Sequence, residues 1–138
     1  LEQLKDNARS VQRGNGNLMD DSSYKSKVGE LEIDLLATEF TELRSLASAA
    51  AGGEPGPESS ILKLKGTEIK QRIAKLTVEA SGIYSSAWGD KSAGPAFAKG
   101  GTAGYLNIRY FTIYGVASEV QKDIVAKKVL GLTKGSSK

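Results

Sequence analysis

The apolar residues Val28, Leu31, Leu35, Leu36, Phe40, Leu43, Leu46, Ala47 and Ala50 recur at spacings of mostly three and four, with no proline among them. That is the period of one helical face, and it predicts a long amphipathic helix over about 22–51. Asp20, Asp21, Ser22 and Ser23 offer the side-chain oxygens and negative charge that suit its first turn. The pattern stops at Gly52-Gly53-Glu54-Pro55-Gly56-Pro57. Pro57 fits the first position of a second helix, where its missing N–H goes unmissed. Leu62, Ile69, Ile73, Leu76 and Ala80 then form a second stripe, with Ile61 and Leu64 beside it and Gly82 closing a helix over 57–81. Two long helices joined by a short turn make an antiparallel hairpin.

The flanks are read against this hairpin. Leu1, Leu4, Ala8 and Val11 predict a helix over about 1–13, stopped by Gly14-Asn15-Gly16-Asn17. Residues 82–103 show no period; five glycines, one proline and three serines up to residue 101 surround Tyr84, Trp88 and Phe97. They read as a long loop held down by its aromatics. A short apolar helix is expected at 104–112. A last helix at 117–130 follows, with Val120, Ile124 and Leu130 inward, Lys127 and Lys128 in the final turn and Gly131 after it. Thr133 to Lys138 is expected to fray. The sum is an all-α chain, an up-and-down four-helix bundle without a sheet, with residues 1–138 as a single domain.

Composition then removes whole classes of chemistry. The chain of 138 residues has no His and no Cys, so it holds no Ser-His-Asp triad, His-ligated metal, thiolate zinc site or disulfide. Nineteen Lys and Arg against sixteen Asp and Glu give a net charge of +3, too small to point to nucleic acid. No apolar run is long enough to span a membrane. The start at Leu1 has neither a basic segment nor an apolar one, so it does not read as a signal peptide; it is expected to be an internal start, and a cytoplasmic location is expected.

The local motifs are weak. Gly14-Asn15-Gly16 lacks the third glycine and the preceding strand of a dinucleotide fingerprint. Gly100-Gly101-Thr102-Ala103-Gly104 could approach a phosphate but reads first as a flexible loop. Lys63, Lys65, Lys70, Arg72 and Lys75 read as a solvated face, as do Glu30, Glu32, Asp34, Glu39 and Glu42.

Residues 109–132 are more specific. They read RYFTIYGVASEVQKDIVAKKVLGL. This stretch closely resembles the C-terminal signature of the flavin-dependent acyl-CoA dehydrogenases, a run like T-I-Y-G-G-T-S-E-I-Q-R-N-I-I-A-x-R-V-L-G-L. Most positions match in type, without gaps. Pro55 to Glu68, PGPESSILKLKGTE, looks like the P-G-P-E-x-S-x-x-K-L-x-x-x-E pattern of the bacterial branch, and Leu18-Met19-Asp20-Asp21 is a further, looser match. The likeness covers the chain apart from the loop near 82–104.

The resemblance implies the C-terminal helical bundle of a three-domain enzyme that oxidises an acyl-CoA thioester to the 2-enoyl-CoA, with FAD as hydride acceptor. It implies that the Gly115 amide stabilises the developing enolate oxygen, that Tyr114 borders the thioester, and that Val116, Ala117 and Glu119 lie along the flavin. Arg9 and Arg13 flank Val11, the position matching an arginine that reaches the FAD pyrophosphate of a neighbouring subunit. A homo-oligomer (dimer or tetramer) or a related subunit is implied, with an electron-transfer flavoprotein as electron acceptor. Three departures stand out. Gly115 occupies the position of the catalytic Glu of some members, so the resemblance implies a base upstream and none in this chain. Val116 replaces a glycine, and Ala117 replaces a threonine. These two favour an alternative: a non-catalytic partner subunit that serves assembly. A helical binding module unrelated to flavin is a third reading.

Overall fold

The computed structural model describes residues 1–53, 56–87 and 94–132. The expectations that fall on Pro55, on Trp88 and on residues 133–138 lie outside them. Five α-helices carry most of the described chain: α1 (Glu2–Arg9), α2 (Ser22–Ala50), α3 (Glu58–Ser81), α4 (Gly101–Asn107) and α5 (Ser118–Lys128). The described residues divide into two compact units, one formed by Leu1–Asp34 and Ile69–Arg109, the other by Leu35–Glu68 and Tyr110–Lys138.

In the first unit α1 is shorter than its periodicity predicts. Gln12–Arg13 (β1) and Gly16–Asn17 (β2) form a two-stranded antiparallel ladder, with Arg13 opposite Gly16. Gly14 takes φ +56°, the left-handed backbone that a two-residue hairpin turn needs at its first central position. The amide of Leu18 donates to the carbonyl of Val11 at 2.9 Å, so residues 11–13 pair with 16–18 and do not extend the helix. The expected sheet-free chain and the helix reaching residue 13 are corrected accordingly. Residues 18–20 form a 3-10 turn closed by a reciprocal cap: Asn17 Oδ1 accepts from the Met19 amide, and Asp20 Oδ2 accepts from the Asn17 amide.

Asp21 starts α2. Its Oδ1 accepts from the amides of Ser23 and Tyr24, at 2.9 and 3.1 Å, and the Tyr24 bond is the main reason its carboxyl titrates below the usual value. Tyr24, Val28 and Leu31 are fully buried, with Ile69, Leu76 and Ala80 of α3 also in the core of this unit. Tyr24 Oη donates to the Leu76 carbonyl at 3.1 Å, Lys27 pairs with Glu79 at 2.6 Å, and Arg72 pairs with Asp34 and with Glu30. Tyr24 and Lys27, early in α2, meet Leu76 and Glu79 late in α3, whereas Glu30 and Asp34 further along α2 meet the earlier Arg72, so the two segments run antiparallel. Glu30, Asp34 and Arg72 are therefore ion-pair partners, more than a solvated face.

The stretch expected as a long loop over 82–103 has local structure. Residues Gly82–Ser86 and Ala96–Ala98 are 3-10 turns, and α4 begins at Gly101, after Gly100 at φ +76°. The glycine-rich 100–104 run thus opens a helix. The Tyr84 ring lies so close to Gly94 that a side chain there would collide with it, and Thr102 Oγ1 donates to the Ser85 carbonyl at 2.6 Å. Tyr84, expected as an anchor, is exposed and packs against Gly94 within the same stretch, and Phe97 is half-buried.

The second unit is built differently. Its most buried described residues are polar: Ser60 and Thr67 of α3 and Gln121 of α5. Leu36, Phe40, Leu43 and Leu46 stand open, with Phe40 and Leu43 each 60 % exposed. The stripe that periodicity places inward is buried only up to Leu31 and is a solvent-facing apolar surface beyond Leu35. Val120 and Leu130 are exposed as well, contrary to the inward face expected of the last helix. The residue of α5 that packs deepest is Gln121, one position along from Val120.

Candidate functional site

The signature region is organised around a turn between two helical segments. Residues Ile108–Thr112 form a 3-10 turn that continues directly from α4. The amides of Ile113 and Tyr114 both donate to the Tyr110 carbonyl, at 2.9 and 2.8 Å, closing the last turn before the glycine. Tyr110, Phe111 and Tyr114 form an aromatic trio. Tyr110 and Phe111 have ring centres 4.7 Å apart, and Tyr114 meets the other two edge-on at 5.8 and 6.4 Å. Lys63 of α3 is half-buried, and its Nζ donates to the Phe111 carbonyl at 3.0 Å.

The chain then turns through Gly115 at φ +64° and Val116 at φ +80°. Left-handed backbone is ordinary for glycine and rare for a β-branched residue, where the Cβ branches crowd the neighbouring carbonyl. Val116 is the one non-glycine residue with positive φ among the described residues. Ala117 caps α5 with φ −58° and ψ 146°, and no side chain bonds to the first-turn amides. Those amides carry the positive end of the helix dipole and have no intrahelical acceptor. Tyr114 is 69 % and Val116 51 % exposed, and the space where a Gly115 side chain would stand is open. Glu119 is exposed in the first turn. The segment thus presents main-chain donors to solvent from a constrained turn, bordered by an aromatic face. No group of three or more carboxylates able to hold a metal occurs among the described residues.

The structure places Tyr114, Gly115, Val116, Ala117 and Glu119 together in the second unit. Arg9 and Arg13 belong to the first. Arg9 pairs with Asp6 at 2.7 Å within α1, whereas Arg13, in β1, is only loosely associated with Asp21 at 3.8 Å. Sequence reasoning did not single out Lys63 or Gln121. Lys63 sits in a run of cations that reads as a solvated face, and nothing local marks a partner 48 residues away.

A comparison with known families matches residues 1–130 to the acyl-CoA dehydrogenase C-terminal domain. The chain belongs to this family. It is also 26 % identical over 117 residues to acyl-CoA dehydrogenase FadE34 of Mycobacterium tuberculosis, an alignment covering 85 % of this chain and 15 % of that protein. The chain therefore spans about 15 % of the length of the curated relative it matches. The all-α class expected of an acyl-CoA dehydrogenase C-terminal domain agrees with the helices described above. None of the described helices is long and apolar enough to cross a membrane.

Proposed function

We propose that this chain is the C-terminal helical domain of a flavin-dependent enzyme that oxidises an acyl-CoA thioester to the 2-enoyl-CoA. One observation carries the reading: consecutive left-handed residues Gly115 and Val116 lead into the uncapped start of α5. The backbone shape that a glycine pair adopts freely persists although the second residue is valine. A strained conformation of this kind clusters at ligand-binding turns.

The residues fit FAD in the donor set they offer. The residues of the turn and of the first turn of α5 are exposed or half-buried and the N-cap residue makes no side-chain cap, which suits carbonyl, hydroxyl and phosphate oxygens. The Glu119 carboxylate beside them would accept from donors of the flavin. FAD, when bound, supplies a two-electron acceptor for the substrate's β-hydrogen. The Gly115 N–H stabilises negative charge on the thioester oxygen as the α-proton leaves. The aromatic face of Tyr114 covers one side of the thioester and excludes water. Gly115 has no side chain to accept a proton, so residue 115 is not the base, and on this reading a carboxylate elsewhere in the full-length enzyme takes it. Arg13, more loosely paired than Arg9, is the better candidate to reach the pyrophosphate of a neighbouring subunit.

The open apolar face of Leu36, Phe40, Leu43 and Leu46 supports an oligomer, a dimer or tetramer in which a second copy or a related subunit covers it. Reoxidation by an electron-transfer flavoprotein and a cytoplasmic setting complete this reading. Val116 and Ala117 favour a second one, in which the turn is kept for assembly and the chain is a non-catalytic partner subunit.

The test is an anaerobic visible spectrum of the full-length protein titrated with acyl-CoA thioesters. A flavin band that bleaches on addition supports the first reading. A colourless protein that copurifies with another dehydrogenase-like chain refutes it and supports the second.

A further inference from the structure

We infer that Lys63 is a positioning residue for the Gly115 turn, an inference that rests on the flavin-dependent reading above. The turn carries a valine at φ +80° on an exposed stretch of backbone, and such strain lasts only where the surroundings hold it. The hold begins one turn earlier. The Tyr110 carbonyl takes the amides of Ile113 and Tyr114, and the adjacent Phe111 carbonyl takes the ammonium of Lys63. That carbonyl lies near the end of a 3-10 turn, where the aligned peptide dipoles leave partial negative charge, so a cation there is favourable. Lys63 comes from α3, a rigid helix, and its aliphatic stem is half-buried, which fixes the reach of the ammonium. Its neighbour on the next helical turn, Thr67, is buried and bonds back to the Lys63 carbonyl at 2.8 Å, so the base of the strut is itself packed. The chain of contacts runs from α3 through Lys63 to Phe111, then through the Tyr110–Tyr114 turn to the Gly115 amide. Lys63 touches no substrate atom on this reading; it sets where the amide points.

Amide hydrogen exchange on the 138-residue chain, read residue by residue, tests this. Lys63→Met keeps the stem and deletes the donor; Lys63→Arg restores a cationic donor. Losing a hydrogen bond to a charged group shifts a local opening equilibrium by about tenfold or more. The Met variant is expected to speed exchange at Ile113 and Tyr114 by about that factor, with Val28 and Leu31 in the first unit unchanged and with rescue by Arg. Unchanged exchange at Ile113 and Tyr114, failure of Arg to rescue, or a uniform rise across both units overturns the inference. In the flavin-loaded full-length protein, Lys63→Met is expected to lower kcat by about tenfold with KM retained, because the amide acts on charge that develops only in the transition state; a rise in KM with kcat kept overturns it. A colourless full-length protein removes the flavin reading, while the exchange result still decides whether Lys63 holds the turn.

Discussion

Val116 offers a measurement in which the usual order of two substitutions reverses. At an ordinary backbone position alanine is more stabilising than glycine by about 0.5–1 kcal/mol, because glycine loses more freedom on folding. At φ +80° any Cβ is crowded against backbone, at a cost of about 1–2 kcal/mol that glycine escapes. Val116→Gly and Val116→Ala both discard the isopropyl group, so the packing lost with it largely cancels between them. The difference isolates the backbone: the Gly variant is expected to be the more stable by about 0.5–1 kcal/mol, from the strain relieved less the entropy lost. For a domain of this size that is a separation of about 2–4 °C in Tm. Thermal and urea unfolding followed by circular dichroism at matched concentration reads it. If the Ala variant is as stable as the Gly variant, or more so, residue 116 is right-handed and the argument for a preserved ligand-binding turn falls. The same substitution clears the isopropyl from the approach to the turn amides, so on the flavin reading Val116→Gly retains or tightens flavin binding in the full-length protein.

Other outcomes follow from single contacts. Asp21 holds a folded-state pKa below its unfolded value, so its cap contribution is present above the unfolded pKa near 3.8 and is lost as pH falls through the folded value; Asp21→Asn keeps a capping oxygen and should flatten that acid limb in a stability–pH series, while Asp21→Ala removes the cap at every pH. Burial pushes the Tyr24 hydroxyl up to about 12, so the unfolded chain ionises first and stability falls as pH rises from 10 toward 12; Tyr24→Phe should abolish that alkaline limb and cost about 0.5–1.5 kcal/mol at pH 7 for the lost bond to Leu76. Light scattering of the chain at rising concentration should show self-association, and Phe40→Glu with Leu43→Glu should shift it to monomer with little loss of helix content. A strict monomer in the parent chain would leave the exposed face without the occupant proposed for it.

How much of this was legible in the sequence depends on which interactions are local. The two long helices were, because a stripe at spacings of three and four admits few alternatives, and Asp21 was one of four residues offered for the first turn before the first apolar residue. The hairpin at 12–17 was not, since Gly14-Asn15 ends a helix or turns a hairpin equally well, and only the pairing of Val11 with Leu18 decides between them. Periodicity gives the side of a helix that is apolar but not what covers it. Leu31 and Phe40 carry the same signal; one is fully buried and the other open. Lys63 looked like its neighbours Lys65 and Lys70, and only the fold brings the Phe111 carbonyl to it. Tyr114, Gly115 and Glu119 mark the candidate turn in the sequence through the signature, and the two letters that depart from that signature, Val116 and Ala117, bear on it in opposite ways. Ala117 removes a side-chain cap and leaves the helix start bare, which only geometry could show to be unoccupied by another side chain.

The contrast between the two units bears on why such a turn can persist. The first unit buries Leu4, Leu18, Tyr24, Val28, Leu31, Ile69 and Leu76, a core that supports itself. In the second, the deepest described side chains are Ser60, Thr67 and Gln121, Leu62, Leu64 and Phe111 are half-buried, and Leu36, Phe40, Leu43 and Leu46 face outward. Burial of apolar surface contributes about 25 cal/mol per Å², so leaving Leu36, Phe40, Leu43 and Leu46 exposed forgoes a substantial part of the folding free energy this unit could gain. It nonetheless carries a strained valine. Strain and a sparse core in one place are consistent if covering the Leu36–Leu46 face supplies further stabilisation, and the Gly115 turn, held in this chain by Lys63, is then tightened in the assembly. That makes a joint prediction: conditions that drive self-association should slow amide exchange at Ile113 and Tyr114, and Phe40→Glu with Leu43→Glu should undo the slowing without touching Val28 or Leu31. Exchange at the turn that ignores concentration would separate the two features and leave the strain to be held by Lys63 and the aromatic trio alone.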